Sequence, residues 1–368
     1  MLNQRLLRNL DFVLIAAVLL LILTSLVVIG SATHINTPSE DRYWFVERQG
    51  TSILINCLLI FFILHFDYKN LEKFSWVLYL FNLAILIAVM FVGQSALGAQ
   101  RWIQIGSFSI QPSEFSKIIM IISLARLLDK NVTNLNSFKG IIPVFAFVGL
   151  PFLLVLKQPD MGTSLVFLAI LFGMIFVAGV NLKHLMAILG AGLALLPLFW
   201  YFLKDYQKQR LMVFIDPNVD PLGSGYHIIQ SKIAIGSGMI FGKGLFNGTQ
   251  SQLNFLPENH TDFIFAVIGE ELGFIGAVII LILYLIILLR CIKIAESARD
   301  NFGTLLAAGI ASMLSFHILV NVGMTAGIMP VTGIPLPFMS YGVSSLTTNL
   351  ISVGLLLNIY MRRQKILF

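Results

Sequence analysis

Three groups of titratable residues stand out in this otherwise apolar chain. The densest is Leu256-Pro257-Glu258-Asn259-His260-Thr261-Asp262-Phe263, which sets two carboxylates and an imidazole beside each other at the start of an apolar run. A carboxylate in such a place can serve as a general base if partial burial lifts its pKa above the usual value of about 3.9. Asp262 can equally cap the helix that the apolar run predicts, because Asp accepts backbone N–H bonds well at that position. The clustering with Glu258 and His260 is more than capping requires.

The second group is Glu114 and Lys117, spaced i, i+3, so that one helix face would bring them together. Charge at membrane depth is costly and marks either a structural ion pair or a functional site. The third is Asp160, in the turn Lys157-Gln158-Pro159-Asp160-Met161-Gly162-Thr163, where capping of the following helix is the plain account. Arg101 and Trp102, in the loop Gly98–Gln111, read as an interfacial anchor. Glu270 and Glu271 would lie about 12–14 Å from Asp262 along one continuous helix. Adjacent carboxylates there read as polar packing inside a bundle rather than as partners in catalysis. The glycine-rich stretch Gly236–Gly248 (GSGMIFGKGLFNG) fails the phosphate-loop pattern: Ser237 stands where the first Gly is needed, and Gly244 follows Lys243. Nucleotide binding is therefore excluded, although a glycine-rich backbone beside Lys243 can still approach an anionic headgroup.

The elements that must position these residues are membrane helices. The chain is 57% hydrophobic and 11% charged, against about 25% charged in an ordinary soluble domain, and no soluble fold hides that much apolar surface. Spanning helices need about 20 apolar residues. The predicted spans are Phe12–Gly30, Thr51–Phe66, Phe74–Gly93, Pro112–Leu128, Gly140–Leu156, Gly162–Val180, His184–Phe202, Phe263–Leu289, Phe302–Val322 and Ser344–Met361. The first apolar run is longer than the core of a cleaved signal peptide, about 7–15 residues, and so reads as a span. The fold class expected is an all-α polytopic membrane protein of about ten helices, a single unit over residues 1–368. Its large extramembrane loop, about 203–261, joins the seventh and eighth spans. A second loop, Gly323–Val343, holds Pro330, Pro335 and Pro337; backbone of this kind at membrane depth must line a cavity or be buried in protein. Its GIMPVTGIPLPF stretch is also a candidate surface for a partner.

Lys and Arg set the orientation. Fourteen of the 24 lie on the side of the termini, which makes both termini cytoplasmic and turns the long loop outward. Basic residues scattered among helix ends speak for membrane orientation and against nucleic acid. Cys57 and Cys291 have neither metal-ligand spacing nor the density of a disulfide framework.

Five ordered strings carry a resemblance to one family: GAQRWIQIGSFSIQPSEFSK from Gly98, KQPDMGT from Lys157, YQKQRLMVFIDP from Tyr206, GSGYHIIQSKIAIGSGMIFGKG from Gly223 and QSQLNFLPENHTDFIFAVIGEELG from Gln250. Over essentially its whole length the chain resembles the SEDS family (shape, elongation, division and sporulation), closest to the elongation branch. Two departures are visible: Val343 replaces a glycine of Ser-Tyr-Gly-Gly-Ser, and Met239 replaces one of GSGGLFGKG. Either change can restrict the backbone, since only Gly takes positive φ freely.

The resemblance implies a peptidoglycan glycosyltransferase of the bacterial inner membrane, using lipid II as donor and acceptor. Asp262 matches the family's essential aspartate and would be the base for the acceptor 4-hydroxyl, with inversion and release of undecaprenyl diphosphate. Arg101, Arg210, Lys243 and Lys117 are the cations expected to neutralise that diphosphate. The wider substrate-binding set adds Gln111, Glu114, Asp160, His260 and Ser340. A divalent cation (Mg2+ or Mn2+) is an expected cofactor, and a class B penicillin-binding protein an expected partner. A lipid II flippase and a non-catalytic scaffold for a transpeptidase are the competing readings.

Overall fold

The computed structural model describes residues 8–34, 43–96, 99–105, 108–131, 137–221 and 223–363. The described chain is predominantly helical, and helical segments stand where all ten spans were expected. The first six are α1 (Phe12–Thr33), α2 (Trp44–His65), α3 (Lys69–Val92), α4 (Pro112–Asn131), α5 (Phe138–Lys157) and α6 (Met161–Val177). The seventh span is broken into α7 (Leu182–Ala194) and α8 (Leu196–Phe202), next to Pro197, which cannot supply a helical N–H. Among the described residues seven helices are long and apolar enough to cross a bilayer, and Met161–Val177 and Leu182–Gly192 are shorter apolar helices.

Local chemistry sets several helix starts. Asp11 caps α1 by accepting from the Leu14 amide at 3.1 Å, and Ser137 and Asp160 cap α5 and α6 in the same way. Helices α2 and α3 turn long apolar side chains such as Leu58, Phe61, Val77 and Phe91 outward, as expected where lipid is the solvent.

The described part of 203–261, expected as a loop, contains three helices and a 3-10 turn: α9 (Asp205–Ile215), the turn at Pro217–Val219, α10 (Ser224–Ser237) and α11 (Thr249–Gln252). The segment expected as a loop before α4 forms a small antiparallel sheet, β1 (Gln94–Ala96), β2 (Ala99–Ile105) and β3 (Phe108–Ile110), with Trp102 opposite Gln94 and Ile103 opposite Ile110. This corrects the all-α expectation locally. Alternating Arg-Trp-Ile-Gln-Ile suits a half-buried strand better than a coil.

The eighth span is also corrected. Helix α12 (Ile264–Ser297) is two helices joined at Gly273, whose φ of 65° and ψ of −166° are non-helical. The membrane-length piece is Gly273–Ser297. The break exposes main-chain groups that must find partners, and the glycine-rich stretch supplies them. Lys243 N and Gly244 N donate to the carbonyls of Glu270 and Glu271, each at 3.0 Å. Phe274 N and Ile275 N donate to Met239 O and Ile240 O at 2.9 and 3.2 Å. A Cβ on Gly242 would sit 2.1 Å from Glu271 O, so only glycine admits this approach. The stretch that looked like an anion loop splices a broken helix. Met239 takes a φ of 51° there, a left-handed conformation that costs a non-glycine residue roughly 1–2 kcal/mol. Val343, the other departure, is the first residue of a helix and needs no glycine; the unusual φ of 158° belongs to Gly342.

The two remaining helices, α13 (Asn301–Thr325) and α14 (Val343–Met361), bury most of their length. Helix α13 packs on α12 and α6, and α14 on α2. Between them the chain folds back as expected, with Ile334, Leu336, Phe338 and Met339 buried. Its carbonyls are met by side chains from three helices. Ser25 of α1 donates to Met339 O (2.7 Å), Tyr284 of α12 to Pro337 O (2.6 Å), and from α13 Asn321 bonds Ile334 O (2.9 Å) and His317 bonds Pro335 O (3.1 Å). Buried in this way, Ile334–Met339 offer no docking face, whereas Ile328 in the first half of the GIMPVTGIPLPF stretch is exposed.

Candidate active site

Asp262 does not cap a helix. The Phe263 residue stands at the N-cap of α12, and no side chain caps there. Asp262 closes a tight turn in which the amides of Thr261 and Phe263 both donate to Glu258 O at 3.2 Å, with Glu258 at a φ of 51°. Among the described residues its carboxylate accepts no hydrogen bond, and it faces Gly333, where an added Cβ would lie 3.3 Å from Oδ2. Gly333 has a φ of 72°. A glycine at this point leaves open space beside the carboxylate.

The turn is held from below by the folded-back segment. Asn321 Nδ2 donates to Asp262 O and to Ile334 O, both at 2.9 Å. Ser340 Oγ donates to Thr261 O at 2.6 Å and accepts from Leu336 N at 2.8 Å. Tyr341 N donates to His260 O at 2.9 Å, and the His260 ring packs on Phe45 and Tyr341. Burial lowers the His260 pKa against the pull of Glu258, so the ring is neutral near pH 7. His260 and Ser340 thus contact the backbone and rings that position Asp262.

Burial is the main influence on Asp262 and, with Glu258 and Asp160, outweighs Arg101 and Arg210; the carboxyl is pushed up to about 6. Arg101 arrives on β2 and lies 3.7 Å from Asp160 Oδ1, and its Nε is buried without a partner among the described residues. Asp160 Oδ1 also caps α6 through Thr163 N (3.1 Å). Its other oxygen accepts from Gln111 Nε2 (3.0 Å) and Ser113 Oγ (3.3 Å). Arg210 on α9 reaches Val331 O at 3.3 Å, next to Gly333. The fold therefore assembles Asp262, Glu258, Arg101, Arg210, Asp160 and Gln111 from distant parts of the chain.

Three expected members, Lys243, Lys117 and Glu114, lie in other clusters. Lys243 is committed to Glu270 Oε1 (2.8 Å) and Thr249 Oγ1 (2.7 Å). Lys117 is buried with Glu114, reaching both its oxygens at 2.9 Å, and lies 3.0 Å from His317 Nε2. His317 Nδ1 contacts Pro335 O, which assigns the proton to Nδ1 and leaves Nε2 to accept from Lys117. The ion pair therefore props the folded-back segment. Asn321, Gly333 and His317 escaped the reading of the sequence: each lies in an apolar or loop stretch, and only its contacts reveal it.

Among the described residues no three His, Cys, Asp or Glu side chains are grouped to hold a metal ion. The carboxylate of Glu258 acts electrostatically on that of Asp262. One or two carboxylates suit Mg2+ or Mn2+ only when substrate phosphate oxygens complete the shell.

Fold and site together define a polytopic helical membrane protein with a carboxylate of raised pKa under the influence of two arginines at the end of its bundle. The chain belongs to the FtsW/RodA/SpoVE family, whose profile, described as "Cell cycle protein", matches residues 11–365. Peptidoglycan glycosyltransferase MrdB of Escherichia coli (strain K12) is 41% identical over 348 residues, 94% of this chain and 93% of that protein. Stage V sporulation protein E of Bacillus subtilis (strain 168) is also 41% identical, over 95% of this chain and 96% of its own. Among solved structures, a chain of a peptidoglycan synthase complex superposes with a TM-score of 0.82 at 31% identity, covering 95% of this chain and 97% of that one. The rod shape determining protein RodA of Thermus thermophilus gives 0.70 at 29% identity, over 97% and 98%.

Proposed function

We propose that this chain is a peptidoglycan glycosyltransferase that polymerises lipid II into glycan strands during cell elongation, with its active site on the outer face of the bacterial inner membrane. The observation that carries the mechanism is Asp262 itself. It stands outside the helix that follows, accepts no hydrogen bond among the described residues, and has its pKa pushed up to about 6.

The carboxylate takes the proton of the acceptor sugar's 4-hydroxyl as that oxygen attacks the donor anomeric carbon. The bond from that carbon to the diphosphate breaks with inversion, and undecaprenyl diphosphate leaves. A base with a pKa of about 6 is mostly ionised at neutral pH and still stronger than an ordinary aspartate. Arg101 and Arg210 face the negative charge that develops on the leaving diphosphate. A divalent cation would add to that neutralisation, held by Glu258 together with the diphosphate oxygens, which leaves Asp262 as the base. Gln111 and Asp160 orient Arg101, and Ser340 and His260 hold the Asp262 turn. A class B penicillin-binding protein is the proposed transpeptidase partner, and the chain's termini are proposed to be cytoplasmic.

The test is strand formation from purified lipid II by wild type and Asp262→Ala, with and without Mg2+, Mn2+ and the cognate transpeptidase. Polymer from wild type alone supports the assignment. Polymer from the folded variant removes Asp262 as the base, and no polymer under any condition turns the reading toward translocation or scaffolding.

A further inference from the structure

Several buried or half-buried cations of this bundle are matched by carboxylates. Arg101 meets Asp160, Lys117 meets Glu114, Lys243 meets Glu270, Arg290 meets Asp11, and Arg299 meets Asp67 and Asp300. Arg126, near the end of α4, makes no ion pair among the described residues. Its Nη1 donates to neutral groups only: the carbonyls of Glu72 and Lys73 and the hydroxyl of Ser75. Its Nε is buried and has no hydrogen-bond partner among the described residues. A guanidinium held in this way keeps an unneutralised charge, and an orphaned buried donor asks for a ligand.

A cavity of about 200 Å³ opens at this point, lined by Ser75, Trp76, Ser123, Arg126, Leu127, Lys130 and Phe147. Ser75 and Ser123 are 2% and 4% exposed. The Ser75 hydroxyl accepts from Arg126, which leaves its own proton to donate. Ser123 Oγ donates to Ser75 O at 3.1 Å and so fixes that corner. Lys130 lies one helical turn further on, exposed and without an ion pair among the described residues. Trp76 is 52% exposed on the outer surface of α3, and its ring meets Phe147 edge-on. The cavity thus has a cationic, hydroxylated floor and an apolar aromatic wall.

Its place in the fold identifies the source of the anion. Arg126 is tied to the first turn of α3, and Lys69 at the start of that helix pairs with Asp300. Arg299, Arg362 and Asp67 gather at the same end, where Arg363 reaches Asn9 O. The site therefore lies at the bundle end that holds Asn9 and Arg363. Basic pockets between helices at that level, flanked by an interfacial Trp, suit anionic lipid headgroups. We propose that this cavity seats the phosphate of an anionic phospholipid, with Arg126, Lys130 and Ser75 as donors and Trp76, Leu127 and Phe147 against the glycerol and upper acyl chains.

The probe is phosphatidylglycerol, compared with phosphatidylethanolamine and with inorganic phosphate, on the full chain in detergent micelles. Native mass spectrometry of wild type should show phosphatidylglycerol retained roughly tenfold or more over phosphatidylethanolamine, and its addition should raise the melting temperature. Both effects should vanish in Arg126→Gln/Lys130→Gln. Exposed Lys130 has no packing role, so Lys130→Gln alone keeps the fold and should weaken retention about threefold to tenfold. Equal retention of the two lipids by wild type, or unchanged selectivity in the double variant, overturns the site. Stabilisation by inorganic phosphate equal to that by phosphatidylglycerol overturns its assignment to a lipid.

Discussion

Asp262 and Glu270 belong to the same stretch of chain, yet the fold treats them in opposite ways. Glu270, fully buried, accepts from Lys243 Nζ, Thr249 Oγ1, Gln250 N and Ser251 N. Every bond there favours the ionised carboxylate and fixes it in place. Asp262 is left without hydrogen bonds among the described residues, beside Glu258 and against an open glycine. One carboxylate is a structural clamp on the segment Lys243–Ser251. The other retains the proton affinity and access that a base requires. Glu270 is fully buried and Asp262 only partly so, and the donors gathered around Glu270 have no counterpart at Asp262.

Exchanging the two acids for their amides gives the largest expected contrast. Asp262→Asn should lower the rate of strand formation roughly 10²–10⁴-fold, the usual worth of a general base, with thermal stability at pH 8 unchanged or higher. Glu270→Gln should leave the rate per folded molecule within a few-fold. It should destabilise by about 3 kcal/mol, the low end for breaking a buried pair, because Lys243 keeps some contact with solvent. Loss of rate in both variants at equal stability would erase the distinction.

Next in size is pH dependence. The raised Asp262 pKa means that kcat/KM should climb as pH rises through about 6 and level off above it. The effect on stability has the opposite sign. Folding favours the protonated acid, so this group's contribution is full below the unfolded value of about 3.9 and is lost as pH rises through about 6. Arg210 pulls the pKa down, so Arg210→Gln should move the rate limb to higher pH. A limb that stays put in that variant would separate Arg210 from Asp262.

Asn321→Ala should cost about 2 kcal/mol, since the carbonyls of Asp262 and Ile334 each lose a partner in a buried place. Activity should fall with it, because the base is misplaced. Unchanged kinetics in a destabilised variant would confine Asn321 to stability. The smallest effect is expected at Met239, which is largely exposed. Met239→Gly should stabilise by about 1 kcal/mol or less through relief of the left-handed backbone, read as a small rise in melting temperature.

The spans were legible because lipid demands long apolar runs and each such run is contiguous in the chain. The cluster of Glu258, His260 and Asp262 was legible for the same reason of contiguity. The break at Gly273 was not, since its stabilising partners come from Met239–Gly244, an interaction between segments that no local pattern marks. The arrangement around Asp160 was partly visible: its capping role followed from the turn, whereas its contacts with Arg101, Gln111 and Ser113 depend on how β2 and α4 pack.

By itself, then, the sequence determined that this is a many-helix membrane protein, roughly where its apolar spans lie, and that Asp262 is a candidate for chemistry, because apolar length and charge are properties of a linear string. Only the tertiary structure decided which charges are satisfied. It matched Lys243 to Glu270 and Arg101 to Asp160, and left Asp262 under the influence of Arg101 and Arg210. Whether a buried charge is a clamp or a catalyst depends on donors and acceptors brought from distant segments, and those distances exist only in the folded chain.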